Sequence, residues 1–206
     1  MQTADSFYIR YGKRLFDLIA GSVGLLVLLP FFLLIGLAIK LSDGGPIFFR
    51  QPRIGKNFRK FYFFKFRTMI PNAERKGPPI TESNDPRITP VGRLLRRYKL
   101  DELPQLINVV KGDISLVGPR PELERYVQIF RNDFREILTV KPGITDFATL
   151  EFHDEDRIFR KYSDVDEGYQ KEVLPQKITL YKQYLSRISF WTDLKIIFKT
   201  LWRIIS

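Results

Sequence analysis

Asp101 and Glu102 stand side by side in YKLDELPQLINVVKG, at the predicted start of a helix. A helix start offers unpaired backbone N–H groups and the positive end of the macrodipole, and both stabilise anions. Aspartate at an N-cap followed by glutamate is also common capping chemistry, and that reading stands beside a catalytic one. The surrounding residues raise the catalytic reading. Arg93, Arg96 and Arg97 precede the pair, and SLVGPRP follows it, with Arg120 between two prolines and beside a glycine that lets backbone approach closely. Rigidly held arginines suit bidentate phosphate binding; taken alone, Arg120 is equally a surface loop residue. In KFRTM, Lys65 and Arg67 alternate with aromatics on a predicted strand, which places both charges on one face for phosphate binding or for solvent. Asp113, just after the helix, is a candidate to help Asp101 or Glu102 hold Mg²⁺, which takes few carboxylates alongside substrate phosphates; a turn-capping role is the alternative. His153 is the only histidine and is expected at the surface, so no site built from several histidines exists. The chain contains no Walker loop, dinucleotide glycine fingerprint or G-x-S-x-G elbow.

The elements that must position these groups are short. PIFFRQPRIG and FRKFYFFKFRTM predict two strands around a turn at Gly55–Asn57. Residues 71–88 have loop composition. Thr89-Pro90 predicts an N-cap and first turn opening a basic helix through Tyr98. Asp101 is expected to cap the next helix, which ends at Gly112 and carries Leu103, Leu106, Ile107 and Val110 on an apolar face. Pro121 is expected to open a third amphipathic helix, about PELERYVQIFRNDFREIL, and Lys141-Pro142-Gly143 a turn. The fold class expected is α+β, mostly helical.

The whole chain sets the boundaries. Its 206 residues suffice for a single globular unit with appendages. With 34 Lys+Arg against 23 Asp+Glu the net charge is +11, which points to anionic partners. The absence of cysteine excludes disulfides and thiolate metal sites.

From Leu18 to Ile39 runs an uncharged apolar segment, flanked by Asp17 and Lys40, that would measure roughly 33 Å as a straight helix. It is too long for the apolar core of a cleavable signal, and no small-x-small site follows it. Basic residues lie on both flanks, Arg10, Lys13 and Arg14 before and Lys40, Arg50 and Arg53 after, so the positive-inside rule places both in the cytoplasm. Pro30 sits near the middle, where proline kinks or breaks a helix, leaving two arms of roughly 18 and 15 Å. The expectation is a membrane-embedded re-entrant helix–break–helix within residues 1–41, with a kinked spanning helix and a buried soluble helix as alternatives. Residues 42–206 would form a cytoplasmic catalytic domain. Its last stretch, about 190–205, places Phe190, Leu194, Ile197, Phe198, Leu201 and Ile205 at helical spacing beside a Lys195, Lys199, Arg203 stripe, Trp191 and Trp202. That pattern predicts an interfacial amphipathic helix.

KRLFD at 13–17, the proline-containing apolar run, RQPRIG, KFRTM, DPRITPVGRLLRR, LDELPQLINVVKGDISLVGPRP, KPGIT and SFWTDLKII occur in the order seen in monotopic phosphoglycosyl transferases, also called the bacterial sugar transferase family. The chain resembles a minimal member over about residues 10–200, and the LDELPQL to VGPRP block is the specific part. The resemblance implies an enzyme on the cytoplasmic face of the bacterial inner membrane, in contact with phospholipid. It would transfer a phosphosugar from a UDP-sugar to polyprenyl (undecaprenyl) phosphate with release of UMP, the initiating step of a surface glycan. It also implies Asp101 as nucleophile, Mg²⁺ as cofactor, Glu102 as support for the metal or for acceptor deprotonation, and phosphate binding by Lys65, Arg96 and Arg120. Two departures stand out. Leu29-Pro30 replaces the common Ser-Pro at the membrane break, and Asp146-Phe147-Ala148 follows KPGIT where many members have Gly-Trp-Ala, so the sugar is not implied. A basic nucleic-acid-binding protein and a non-catalytic membrane scaffold are the competing readings; the apolar run argues against the first, so nucleic acid is not expected as a partner. Oligomeric state is left open.

Overall fold

The computed structural model describes residues 7–73, 76–77, 85–152, 158, 161–162 and 164–205. A π-helical turn, Tyr8–Gly12, leads into α1, Lys13–Asp43, which ends where Gly44 adopts φ 69° and its N–H bonds the Lys40 carbonyl. The helix continues through Pro30 as a single element, so the expected break into two arms is not present. A proline costs a helix about 3 kcal/mol, but here both flanking arms are held by packing. Lys13, Asp17 and Gly21 on one side of Pro30, and Gly36 and Ile39 on the other, are buried at three- and four-residue intervals against the rest of the protein. Gly21 lies against Val109, Gly24 against Leu106 and Gly36 against Ile47, while Phe32 packs edge-on against Phe66. The opposite face, Leu15, Ile19, Val23, Leu26, Leu33, Leu37 and Leu41, is 55–77% exposed.

Strands β1, Phe48–Ile54, and β2, Lys60–Phe66, pair antiparallel from Phe48↔Phe66 to Ile54↔Lys60, as the sequence predicts. Helix α2, Pro90–Arg97, starts at the expected cap, with Thr89 accepting from the Gly92 N–H at 2.9 Å. Helix α3 is shorter than expected, Gln105–Lys111, and buries Gln105, Asn108 and Val109, not the leucine-rich face. The reason is that the Asn108 amide stitches α3 to β2. Its oxygen accepts from Phe64 N at 3.0 Å and its nitrogen donates to Tyr62 O at 2.7 Å. Strand β3, Ser115–Val117, pairs in parallel with β4, Gly143–Thr145, which starts at the last residue of the expected Lys141-Pro142-Gly143 turn. A Cβ on Gly143 would overlap the backbone of Val117 and Gly118. The predicted third helix is split at Phe130 (φ −105°, ψ 37°) into α4, Glu124–Ile129, and α5, Arg131–Ile137.

Helices α6, Phe147–Glu151, α7, Val165–Gly168, α8, Leu174–Leu185, and α9, Phe190–Ile205, complete the chain. The main core lies among α4, α5 and α8, with Tyr126, Phe134, Ile137, Leu174 and Tyr181 at 2% exposure or less. A second cluster ties the chain ends together. The Tyr8 hydroxyl donates to Asp193 at 2.8 Å, the Lys13 ammonium bonds the same carboxylate, and the Tyr184 hydroxyl donates to its other oxygen at 2.7 Å. On α9, Asp193 and Ile196 face inward, whereas Trp191, Phe198 and Trp202 are 72–75% exposed. His153 and part of the 71–88 loop lie outside the described residues.

Candidate active site

Asp101 does not cap α3. It occupies a 3₁₀ turn, Leu100–Glu102, and the N-cap of α3 is Pro104 with no side-chain bond. The turn is set by Lys99, a left-handed residue at φ 55° that reverses the chain after α2. It presents Asp101 and Glu102 into an open cleft of about 2040 Å³.

Glu102 is the electrostatic hub. A single oxygen, Oε1, accepts from Lys65 Nζ on β2 at 2.7 Å and from Arg120 in the loop after β3. Burial opposes its ionisation, yet the Arg120 and Lys65 charges outweigh that and hold its carboxyl well below the usual range. Asp101 shows the opposite balance. Burial pushes its carboxyl up, Lys65 acts against that, and the Glu102 charge adds to the rise. Adjacent carboxylates are therefore separated in character: Glu102 is fixed as an anion neutralised by cations, while Asp101 is buried and less solvated, a state in which a carboxylate is more reactive.

The structure brings Lys65, Arg96, Asp101, Glu102 and Arg120 to one cleft. Arg96 is oriented by its Nε–H bond to Thr68 Oγ1 at 2.9 Å. Arg67 borders the cleft but its guanidinium is spent elsewhere, bonding Pro46 O at 2.5 Å, Met69 O at 3.0 Å and both oxygens of Asp43. The expected phosphate role for Arg67 is thus replaced by a structural latch on the end of α1, because the β2 chain turns just past Phe66 and aims Arg67 at the helix terminus. Asp113 is also set apart. It accepts from Asn108 Nδ2 at 3.0 Å, lies 3.5 Å from Lys111, and is absent from the cleft wall, which matches the turn-capping alternative.

Among the described residues no three acidic or histidine side chains gather as a metal cage. Two carboxylates on a cleft rich in cations fit the alternative design for Mg²⁺, in which most ligands are phosphate oxygens and water. Asp101 and Glu102 are the residues that would hold it.

Sequence reasoning missed a second group in the cleft: Glu122, Arg53, Thr149, Tyr169, Lys177 and Tyr181. Glu122 follows Arg120-Pro121 directly and had a local signal. Lys177 and the tyrosines come from α8 and its preceding turn, 47 to 59 residues beyond Glu122 in sequence, and had none.

Fold and cleft define a class: an α+β unit lying along one long apolar helix, with a carboxylate pair set among lysine and arginine side chains. The chain belongs to the bacterial sugar transferase family, whose pattern it matches over residues 8–206. It is 36% identical to the exopolysaccharide production protein ExoY of Rhizobium meliloti, over 92% of this chain and 83% of that protein. It is 39% identical to the undecaprenyl-phosphate glucose phosphotransferase of Komagataeibacter xylinus, over 93% of this chain and 35% of that protein. With the UDP-N-acetylgalactosamine-undecaprenyl-phosphate N-acetylgalactosaminephosphotransferase of Aeromonas hydrophila it shares 35% identity, over 92% of this chain and 42% of that protein. The chain thus spans about two fifths of the length of the latter two relatives.

Proposed function

We propose that this chain transfers a phosphosugar from a UDP-sugar to undecaprenyl phosphate, releasing UMP, as the initiating step of surface polysaccharide assembly. The observation that carries this reading is the buried Asp101, committed to no helix cap, beside a Glu102 anchored by Lys65 and Arg120. An Asp101 carboxylate oxygen attacks the β-phosphorus of the donor. A bond forms between that oxygen and phosphorus, the bond from the β-phosphorus to the bridging oxygen breaks, and UMP departs with the electron pair. A phosphate oxygen of the lipid acceptor then attacks the same phosphorus and returns Asp101 to a free carboxylate. Lys65, Arg96 and Arg120 bind and orient the diphosphate. Glu102, held ionised by its cations, is a weak proton acceptor, and we assign it to positioning Lys65 and Arg120. Mg²⁺ held by Asp101 and Glu102 would supply charge neutralisation to the diphosphate.

The seating of α1 supports a membrane-surface enzyme. Both ends of the helix are tied to the same globular unit, through Lys13–Asp193 at the start and Asp43–Arg67 at the end. A helix crossing about 30 Å of hydrocarbon would place its ends on opposite faces. An arrangement with both ends on the cytoplasmic side satisfies these contacts, with the exposed apolar faces of α1 and α9 in lipid. Phe16, Ala20, Gly24 and Leu28 of α1 form an apolar wall of the cleft, facing where a lipid acceptor would enter.

The test is intact mass of the detergent-solubilised protein after incubation with Mg²⁺ and a panel of UDP-sugars, without acceptor. A phosphosugar adduct, absent from Asp101→Asn and discharged by undecaprenyl phosphate, is expected. A folded protein that neither forms an adduct nor releases UMP on adding the lipid would refute the transferase reading in favour of a scaffold.

A further inference from the structure

Beyond the carboxylate pair the cleft differs in character at its two ends. Around Arg93, Arg96, Arg97 and Lys99 it is strongly cationic and suits a diphosphate. Two residues past Arg120 the wall instead carries a buried anion, Glu122, 4% exposed. We propose that Glu122, with Lys177 and Thr149, forms the subsite that reads the hydroxyl pattern of the donor's sugar. The inference rests on the transferase reading above and adds the residues that choose among donors.

Glu122 is built into place. The Tyr169 hydroxyl donates to its Oε1 at 2.6 Å, the Tyr181 hydroxyl approaches the same oxygen at 3.5 Å, and Arg53 Nη1 stands 3.7 Å from Oε2. Arg53 is itself fixed by bonds to Pro121 O at 3.1 Å and Gln51 Oε1 at 2.8 Å. A carboxylate offers about four acceptor positions; among the described residues the tyrosine hydroxyls address Oε1, and Arg53 stands off Oε2 beyond hydrogen-bond distance. A fixed, buried carboxylate repels phosphate and accepts from neutral hydroxyls. The other members supply an ammonium, a hydroxyl oxygen and apolar faces. Lys177, 3% exposed, lies over the Tyr169 ring at 4.9 Å and the Phe152 ring at 5.8 Å. Asp146 caps the Thr149 helix, its Oδ1 accepting from the Thr149 N–H at 2.7 Å and from the Thr149 hydroxyl at 2.9 Å, which leaves the hydroxyl oxygen as an acceptor. On the cleft wall, Arg53 Nε is buried with no hydrogen-bond partner among the described residues. Carboxylate, ammonium and aromatic faces together match a polyol with polar edges and C–H faces. Proximity to Arg120 places this site next to the β-phosphate, the donor group that bears the sugar.

The experiment measures kcat/KM for UMP release with undecaprenyl phosphate, using UDP-glucose, UDP-galactose and their N-acetylated counterparts, for the wild type, Glu122→Gln and Tyr169→Phe. Loss of a hydrogen bond to a charged group is expected to lower kcat/KM for the preferred donor by at least about tenfold in Glu122→Gln. Poorer donors should change less, so the preference between sugars narrows, while inhibition by UMP stays within about twofold. Tyr169→Phe should move the preference the same way by a smaller factor, and it covers the case in which Glu122→Gln does not fold. Equal losses for every donor would overturn the proposal, as would UMP inhibition weakening in parallel, which would place uridine at Glu122. A folded wild type that uses no donor would instead bring down the transferase reading itself.

Discussion

Replacing Arg67 by methionine separates a latch from a phosphate ligand. The substitution keeps much of the side-chain volume and removes a guanidinium that is 6% exposed on its side chain. Asp43 loses both of its guanidinium contacts, and the Pro46 and Met69 carbonyls lose their donor. Removing one partner of a buried ion pair costs about 3–5 kcal/mol. Asp43 is 23% exposed on its side chain, so water recovers part of this and the low end, about 3 kcal/mol, applies. For a chain of this size that corresponds to a fall in Tm of roughly 6–12 °C. The assay is thermal unfolding in detergent, paired with the KM for the UDP-sugar well below the melting range. Because Asp43→Ala removes the same contact, the double variant should lose less than the sum of the single variants by about 1–3 kcal/mol. An unchanged Tm with a tenfold rise in KM would refute the latch and restore Arg67 to the phosphate site.

Burial holds the Asp146 carboxyl up at about 6. Between an ordinary carboxylate value and about 6 the folded protein keeps a proton that the unfolded chain has released, so stability falls as pH rises through that window. A shift of this size is worth roughly 2–3 kcal/mol, and the wild type minus Asp146→Asn difference in unfolding free energy between pH 4 and 7 should show it. Lys65→Met removes the main charge opposing the rise in the Asp101 carboxyl, so the acid limb of adduct formation should move to higher pH, read by single-turnover mass spectrometry. Lys13→Met strands Asp193 in the interior and should cost about 3–5 kcal/mol in the same melts, although neither residue lines the cleft. Trp191→Ala with Trp202→Ala should weaken sedimentation with anionic vesicles while leaving Tm within about 2 °C; unchanged binding would remove α9 from the membrane contact.

Local chemistry made much of this protein legible from its sequence. The β1–β2 hairpin, the Thr89 cap and the stop at Gly112 follow from neighbouring residues, whose propensities act over a few positions. The Asp101, Glu102, Arg120 and Lys65 set was also legible, since each stands in a dense motif. Tertiary structure decided the rest, because it depends on groups far apart in the chain. Asp101 was placed in a 3₁₀ turn after the left-handed Lys99 instead of at the cap of α3, and Arg67 was diverted to Asp43 at the end of a helix that stays continuous through Pro30. The Gly143 segment became a strand only because Val117 and Gly118 lie beside it. Glu122 gained its hydroxyl donors only when Tyr169 and Tyr181 were carried to it from the other end of the fold. Propensity and spacing report what a segment prefers locally; burial and long-range pairing set which charges remain free to act.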